Sequence, residues 1–226
     1  WLLDRPKVAF DPRKYLEFRL FWPYSSGIPG QWMCHQIDTV AWFTGLEFPR
    51  SAMASGGIYA WRDGRENCDT FTTLLEYGPE NNPDKGFQVV FSSRQTNAAR
   101  GNVENYHSAI GTIDLIRGTV SNEGVEKAKV ETRKLAETEV AATAANTGAG
   151  GMEVAHMRNW MECVRSRKQP NAPIEAGYSH AVALIMSNAS LRTGSKATFD
   201  KKSRQVLAGG KVFRGYDKDD GGFWIF

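Results

Sequence analysis

Three polar residues at helical spacing carry the chemistry this sequence could do. Gln31, His35 and Asp38 stand in the run Pro29-Gly30-Gln31-Trp32-Met33-Cys34-His35-Gln36-Ile37-Asp38-Thr39-Val40. At 3.6 residues per turn the three fall within about one-sixth of a helix circumference. His35 and Asp38 are at i, i+3, so their side chains can meet. A carboxylate beside an imidazole orients the ring and favours its charged form. That arrangement suits a group that takes a proton from a hydroxyl, or returns one, near neutral pH. The same spacing also suits the solvated face of an amphipathic helix, and spacing alone favours this plainer reading. Just upstream, Arg19-Leu20-Phe21-Trp22-Pro23-Tyr24-Ser25-Ser26-Gly27 offers aromatic faces, a guanidinium and a glycine turn. A sugar ring needs aromatic faces and hydrogen-bonding side chains, so Arg19, Trp22, Tyr24 and Gln31 are candidate substrate contacts. Core packing accounts for Trp22 or Tyr24, taken singly, at least as well. His107, in the strand-like run Asn105-Tyr106-His107-Ser108, either points into a cleft or sits satisfied in a sheet, with the second reading slightly favoured. His156 with Asn159, and His180, read as structural residues.

The elements that must position these groups follow from pattern. Pro29 suits a first helical turn and Gly45 the place just past the end, so residues 30–44 read as a helix. Met33, Ile37, Val40 and Thr44 fall on one face, opposite Gln31, His35, Asp38 and Trp42. Residues 1–28 read as an irregular entry segment with a short helix near 11–16. Strands are expected over 51–61, ending at Asp63-Gly64, and over 69–77 and 87–96, separated by a loop at 78–86. Phe71, Thr73, Leu75 and Tyr77 share one side of the second strand. Two further strands, 103–108 and 111–119, meet at Gly111. These short strands with hairpin-length loops imply an antiparallel or mixed sheet. Residues 121–151, rich in Ala, Thr, Glu and Lys, read as a mobile surface loop with room for a short helix. Helices are expected at 152–167, on the repeat Val154, Met157, Met161, Val164, and at 174–193, on the stripe Ala181, Ile185, Asn188, Arg192, with Gly194 as the stop. Residues 195–208 suggest a small β pair, and the apolar tail 221–226 is expected to pack on the body.

Composition narrows the function classes. The 226 residues carry 28 Lys plus Arg against 25 Asp plus Glu, a net charge of +3, which is not the footprint of a nucleic-acid binder. No apolar run approaches the ~20 residues of a membrane helix. Cys34, Cys68 and Cys163 are scattered and odd in number, which indicates neither a zinc ribbon nor a disulfide framework and fits a reducing, cytoplasmic setting. No metal site is expected. Gly148-Ala149-Gly150 is the nearest approach to a dinucleotide-binding turn, but Glu153 stands where the third glycine belongs and no buried strand precedes it. P-loop, H-E-x-x-H, EF-hand and G-x-S-x-G patterns do not occur. The opening Trp1-Leu2-Leu3-Asp4-Arg5-Pro6 reads like the middle of a longer polypeptide, so any targeting signal would lie upstream.

The run from Ser26-Gly27 through Gln31-Trp32-Met33-Cys34-His35-Gln36-Ile37-Asp38-Thr39-Val40-Ala41-Trp42 resembles the substrate helix of the Gfo/Idh/MocA oxidoreductases, which include glucose–fructose oxidoreductase and inositol dehydrogenase. His156 to Asn171 resembles the family's late helix, particularly in bacterial branches with an enlarged C-terminal domain. Ile110-Gly111-Thr112-Ile113 resembles its G–T strand turn. The matches run from about residue 15 to 200. The resemblance implies that residues 1–226 form a single C-terminal substrate-binding and oligomerisation domain. Its implied fold is α+β, an open and mostly antiparallel sheet with helices on one face, of the dihydrodipicolinate-reductase-like kind. The family's N-terminal Rossmann domain, which binds NAD or NADP and supplies a catalytic lysine, is absent from the chain. Family catalysis adds an Asp and a His spaced D-x-x-x-H. Carried across, the histidine is His35, the aspartate position holds Gln31, and Asp38 is the nearest carboxylate. Glutamine can hydrogen-bond a hydroxyl but cannot take its proton. The implied partners are a small carbohydrate substrate, the Rossmann domain of the same polypeptide, and further copies of the chain through the open sheet face, with no nucleic acid and no membrane. Gln31 keeps open an NAD-dependent glycoside hydrolase acting by oxidation and elimination. A non-catalytic sugar-binding or interaction module is the third reading.

Overall fold

The first regular element begins where a side chain can satisfy its free amides. Asp11 accepts from the N–H groups of Arg13 (2.9 Å) and Lys14 (3.2 Å), and Pro12 follows at the first helical position, opening α1 (Pro12–Leu16). The structure, a computed structural model, describes residues 8–22, 24–126, 129–136 and 151–214. The first seven residues of the entry segment, Pro23, most of the expected 121–151 loop and the 221–226 tail lie outside the described residues.

The expected helix over 30–44 opens with a wide π-helical turn, Pro29–Met33, before α2 (Cys34–Thr44). A 3.6-residue pattern cannot register such a turn, since the same residue types serve both windings. Gly45, at φ +66°, ends α2, and its N–H reaches the Ala41 carbonyl at 2.8 Å. Met33, Ile37 and Val40 are buried while His35, Asp38 and Trp42 are exposed, as the two-faced pattern requires; Thr44, expected on the buried face, is exposed at the end of the helix.

The described strands are β1 (Ser51–Gly57), β2 (Thr70–Tyr77), β3 (Phe87–Arg94), β4 (Asn105–Ser108), β5 (Gly111–Asp114), β6 (Thr119–Ser121), β7 (Arg133–Lys134), β8 (Ala197–Asp200), β9 (Gln205–Ala208) and β10 (Lys211–Val212). Two more helices are α3 (Gly151–Ser166) and α4 (Ile174–Thr193). They divide into two compact units, one from residues 1–96 with 174–226 and one from 97–173.

The first unit holds a six-stranded sheet in the order β10-β9-β8-β1-β2-β3, antiparallel at every pairing. On β2, Phe71, Thr73, Leu75 and Tyr77 are fully buried, as their alternation demands. The Tyr77 ring stacks on Phe87 of β3 at 5.1 Å. Strand β1 stops at Gly57, four residues short of the expected end. The cause is Asp69, whose carboxylate accepts from the backbone N–H groups of Tyr59, Ala60 (2.8 Å) and Trp61 (3.0 Å) and so draws that stretch out of the ladder.

Helix α4 packs on β1, β8 and β9. Its inward face is not the stripe read from sequence. Ser179, Val182, Ala183, Met186, Ser187, Ala189 and Ser190 are buried with Asn188, whereas Arg192 is exposed. Small and hydroxylated residues let the helix approach the strands, and their hydroxyls find partners there. Ser190 Oγ accepts the Ala54 N–H (2.9 Å), and Ser187 Oγ meets Thr73 Oγ1 (3.2 Å). A pattern read from apolarity alone misses such a face.

The second unit holds an antiparallel sheet in the order β4-β5-β6-β7 together with α3. The expected strand 111–119 is broken by a turn in which Asp114 accepts the Arg117 N–H (2.8 Å) and Gly118 takes φ +63°. Part of the expected 121–151 loop is ordered, because Val120 pairs with Arg133. The repeat Val154, Met157, Met161 and Val164 does form a helix, but these side chains are exposed among the described residues. Asn159 holds the following loop, as read from sequence, by accepting the Asn171 N–H (2.9 Å). No helix among the described residues is long and apolar enough to cross a membrane.

Candidate functional site

The polar face of α2 is built on a tethered entry. Gln31 Nε2 donates to Ser25 Oγ (2.9 Å) and to the Arg19 carbonyl (3.3 Å), so its amide group holds the preceding segment against the wide first turn. His35 is exposed one turn further on, and among the described residues its ring carries no hydrogen bond or ion pair. Asp38 does not turn to His35 as the i, i+3 spacing suggested. Its Oδ1 lies 2.9 Å from His180 Nε2, within ion-pair range but off the hydrogen-bond axis. The side chains are 55% and 16% exposed, Asp38 and His180 respectively, so the pair sits at the seam where α4 meets α2. The spacing argument missed His180, and no local signal could have found it: its partner is on another helix far away in sequence.

The aromatic segment divides its members. Arg19 is exposed and lies over the Phe18 ring at 4.7 Å, while its carbonyl also accepts from Asn67 Nδ2 (2.9 Å). Trp22 is buried; its backbone N–H donates to Glu66 Oε2 (3.1 Å) and the Arg192 guanidinium rests over its ring at 4.6 Å. Tyr24 is half-buried, its N–H bonded to the Phe21 carbonyl (3.0 Å). His107 belongs to the second unit, exposed on β4 with Nδ1 3.2 Å from Thr112 Oγ1.

Trp22 also walls a cavity of about 330 Å³ with Glu66, Asn67, Cys68, Asn188 and Arg192. The loop before β2 brings Glu66 and Asn67 there, both backbone N–H groups bonding the Leu20 carbonyl at 2.9 Å. Burial pushes the Cys68 thiol up, so it stays protonated at neutral pH. Gln31, His35 and Asp38 do not line this cavity. The structure thus separates an open wall bearing His35 from a small polar cavity bearing Trp22. Sequence reasoning grouped the two, and it missed Glu66, Asn67, Cys68 and Arg192, which share no spacing or motif.

Cys34, Cys68 and Cys163 are free thiols, and no cluster of three or more His, Cys, Asp or Glu that could hold a metal occurs among the described residues. The described strand pairings are all antiparallel, so these residues offer no parallel β–α–β turn of the kind that cradles a dinucleotide phosphate.

No family model matches the sequence, and no curated protein matches it. Solved structures do match. The WlbA dehydrogenase from Bordetella pertussis, solved with NADH and UDP-GlcNAcA, aligns over 84% of this chain and 54% of its own with a TM-score of 0.58 and 17% identity. An oxidoreductase from Agrobacterium radiobacter, solved with NAD+, L-tartaric acid and magnesium, aligns over 84% of this chain and 53% of its own with a TM-score of 0.53 and 12% identity. The chain shares the fold of these oxidoreductase structures over the aligned part, an α+β arrangement with an open antiparallel sheet of the kind the resemblance to a Gfo/Idh/MocA C-terminal domain leads one to expect. The chain spans about half the length of the solved structures it matches. Within this fold, α2 carries His35 and Asp38, and the π-helical turn before it carries Gln31.

Proposed function

We propose that this chain is the C-terminal, substrate-facing part of an NAD(P)-dependent oxidoreductase of the Gfo/Idh/MocA family, acting on a hydroxyl of a sugar, polyol or glycoside. The observation that carries the reading is an exposed imidazole, His35, on the helix whose sequence resembles the family's substrate helix. The fold likeness to the WlbA dehydrogenase, a protein solved with NADH and a nucleotide sugar acid, supports an oxidoreductase and a carbohydrate substrate. The described residues do not fit a dinucleotide by themselves, so the reading assigns NAD or NADP to an N-terminal Rossmann domain of the same polypeptide. Hydride chemistry belongs to that nicotinamide. This chain's part is the proton. A ring nitrogen of His35 accepts it from the substrate hydroxyl, and Arg19 and Tyr24 stand on the entry segment as candidate contacts to the sugar.

Two features of this chain shape that role. Gln31 replaces the expected carboxylate and spends its amide N–H groups on Ser25 and Arg19, so it holds the wall and takes no proton. Asp38 faces His180, so it forms no direct pair with His35. Residues 1–226 serve together as the substrate and oligomer-forming region, and the free thiols support a reducing, cytoplasmic setting.

The test uses the polypeptide that joins this chain to its nucleotide-binding domain. His35→Ala is expected to lower kcat by at least ~10²-fold, the loss typical of a general base. NAD(H) affinity should stay unchanged. Near-normal turnover of the variant removes His35 from the proton step. Net hydrolysis of a glycoside with total NAD unchanged would move the reading to the oxidation–elimination hydrolases.

A further inference from the structure

The loop between β1 and β2 carries two large aromatic side chains into solvent, Tyr59 at 66% and Trp61 at 39% exposure. The backbone beneath them is held from inside. Buried Asp69 accepts the N–H groups of Tyr59 (3.1 Å), Ala60 (2.8 Å) and Trp61 (3.0 Å). Each ring is also backed on one side. The Tyr59 phenol lies against the backbone of Gly57, where a Cβ would press on its Cζ at 3.0 Å, so glycine leaves the ring its seat. The largely buried Arg65 guanidinium lies over the Trp61 ring at 4.5 Å. Asp63 holds that guanidinium at Nε (2.9 Å) and Nη2 (2.7 Å) and pairs with Arg13 at 3.0 Å. Rings backed on one face and exposed to this extent present the other face to solvent.

The same loop is tied to the entry of α2. Asn67 Nδ2 donates to the carbonyls of Arg19 (2.9 Å) and Ser25 (3.2 Å), and Gln31 Nε2 donates to the Arg19 carbonyl (3.3 Å) and to Ser25 Oγ (2.9 Å). The loop and the π turn thus share two anchoring residues. An open, immobile aromatic face takes a flat partner with weakly positive hydrogens. The C–H groups on one side of a pyranose ring are such a partner for the negative face of the ring quadrupole. A cation is a poor partner for Trp61, whose far side already carries one. The charges of Arg65 and Asp63 cancel, so they call for no ionic group on the ligand. A backbone fixed in advance also has little freedom to lose on binding. We propose that Tyr59 and Trp61 form a stacking shelf for a neutral sugar ring of the substrate. The inference rests on the proposed oxidoreductase reading for the choice of a carbohydrate, and it adds the residues that hold the ring while His35 handles the proton.

The experiment titrates the 226-residue chain with methyl β-D-glucopyranoside and, in parallel, with D-mannitol and with uridine, following indole and phenol ring signals by NMR. Mannitol offers hydroxyls without a ring face, and uridine offers a flat base. The expected result is saturable shifts at Trp61 and Tyr59 with the glucoside, in about the millimolar range and at least about tenfold tighter than with either control. Trp61→Ala should abolish the saturable shift at Tyr59, and Trp61→Phe should keep part of it. Tyr59→Ala, which leaves the Arg65 contact in place, should weaken binding at Trp61 at least about fivefold. Both rings stand at the surface, so the variants are expected to fold; unchanged amide spectra away from the loop check this. Absence of saturation, a preference below about tenfold over mannitol or uridine, saturable shifts confined to other aromatic residues, or a folded Trp61→Ala or Tyr59→Ala chain that binds like the parent would each overturn the proposal. The two readings fail separately. Turnover that depends on His35 without glucoside binding at Trp61 removes the shelf alone, and binding at Trp61 with normal turnover of His35→Ala keeps the shelf and removes the proton role alone.

Discussion

Asp69 is wholly buried and ionised at once. Desolvation pushes its carboxyl pKa up, but hydrogen bonds from the N–H groups of Trp61, Ala60 and Tyr59 and from the Thr70 hydroxyl more than offset this and hold it at about 2. A carboxyl lowered in the folded state contributes stability that is full above its unfolded pKa and is lost as pH falls through its folded value. Asp69→Ala removes the acceptor shared by three backbone amides, those of Tyr59, Ala60 and Trp61, and is expected to cost about 3 kcal/mol at pH 7, on the scale of hydrogen bonds to a charged group. Urea midpoints at pH 7 and near pH 2 check it: the gap between wild type and variant should narrow on the acid side, across the window from about 4 down to about 2. The sequence pattern placed Tyr59, Ala60 and Trp61 at the end of one expected strand and Asp69 at the start of the next, because nothing local tells which stretch of backbone a buried carboxylate will gather.

At the scale of elements, α4 approaches the sheet through alanine and serine, so there is no room for a longer side chain at its centre. Ala183→Leu is expected to destabilise by about 1–3 kcal/mol through overpacking, measured by urea unfolding. Ser187→Ala keeps the shape and should cost about 1 kcal/mol, since the hydroxyl's contacts to Thr73 Oγ1 and to the Ala183 carbonyl are lost together. The seam between α2 and α4 is weaker. Asp38 is half in water, so a double-mutant cycle of Asp38→Asn with His180→Gln should return a coupling below about 1 kcal/mol. These contrasts explain what the sequence disclosed. Met33, Ile37 and Val40 marked the buried side of α2, and Phe71, Leu75 and Tyr77 that of β2, because apolar residues on a 3.6- or 2-residue period have one sensible environment. The π turn at Pro29–Met33, the early stop of β1 and the inner face of α4 were hidden, since each depends on partners distant in sequence. The candidate site divided along the same line: the exposed placement of His35 was readable, and the His180 contact to Asp38 was not.

For the whole molecule, the six-stranded sheet has one face under α4 and another that is open. Register places Met53 opposite Leu74, and Leu74 opposite Val90, so an apolar row crosses three strands with Met53 46% and Val90 68% exposed. We expect copies of the chain to associate through this row. Val90→Lys should shift the mass measured by light scattering toward the monomer while changing stability by less than about 0.5 kcal/mol. The isolated 226-residue chain should show no saturable NAD(H) binding by calorimetry, because the proposal places the nucleotide on another domain. The first unit is also assembled from both ends of the described sequence. The Ser190 to Ala54 hydrogen bond joins residues 136 apart, and the Asn188 to Ser26 bond joins residues 162 apart. During synthesis on the ribosome, β1 to β3 therefore emerge well before the helix that roofs Phe71 and Leu75. Nascent chains must shelter that greasy surface through some eighty further codons, roughly four to sixteen seconds of translation. A premature stop anywhere ahead of Ile174 would release sticky hairpins for chaperones and proteases to clear, not a smaller working domain.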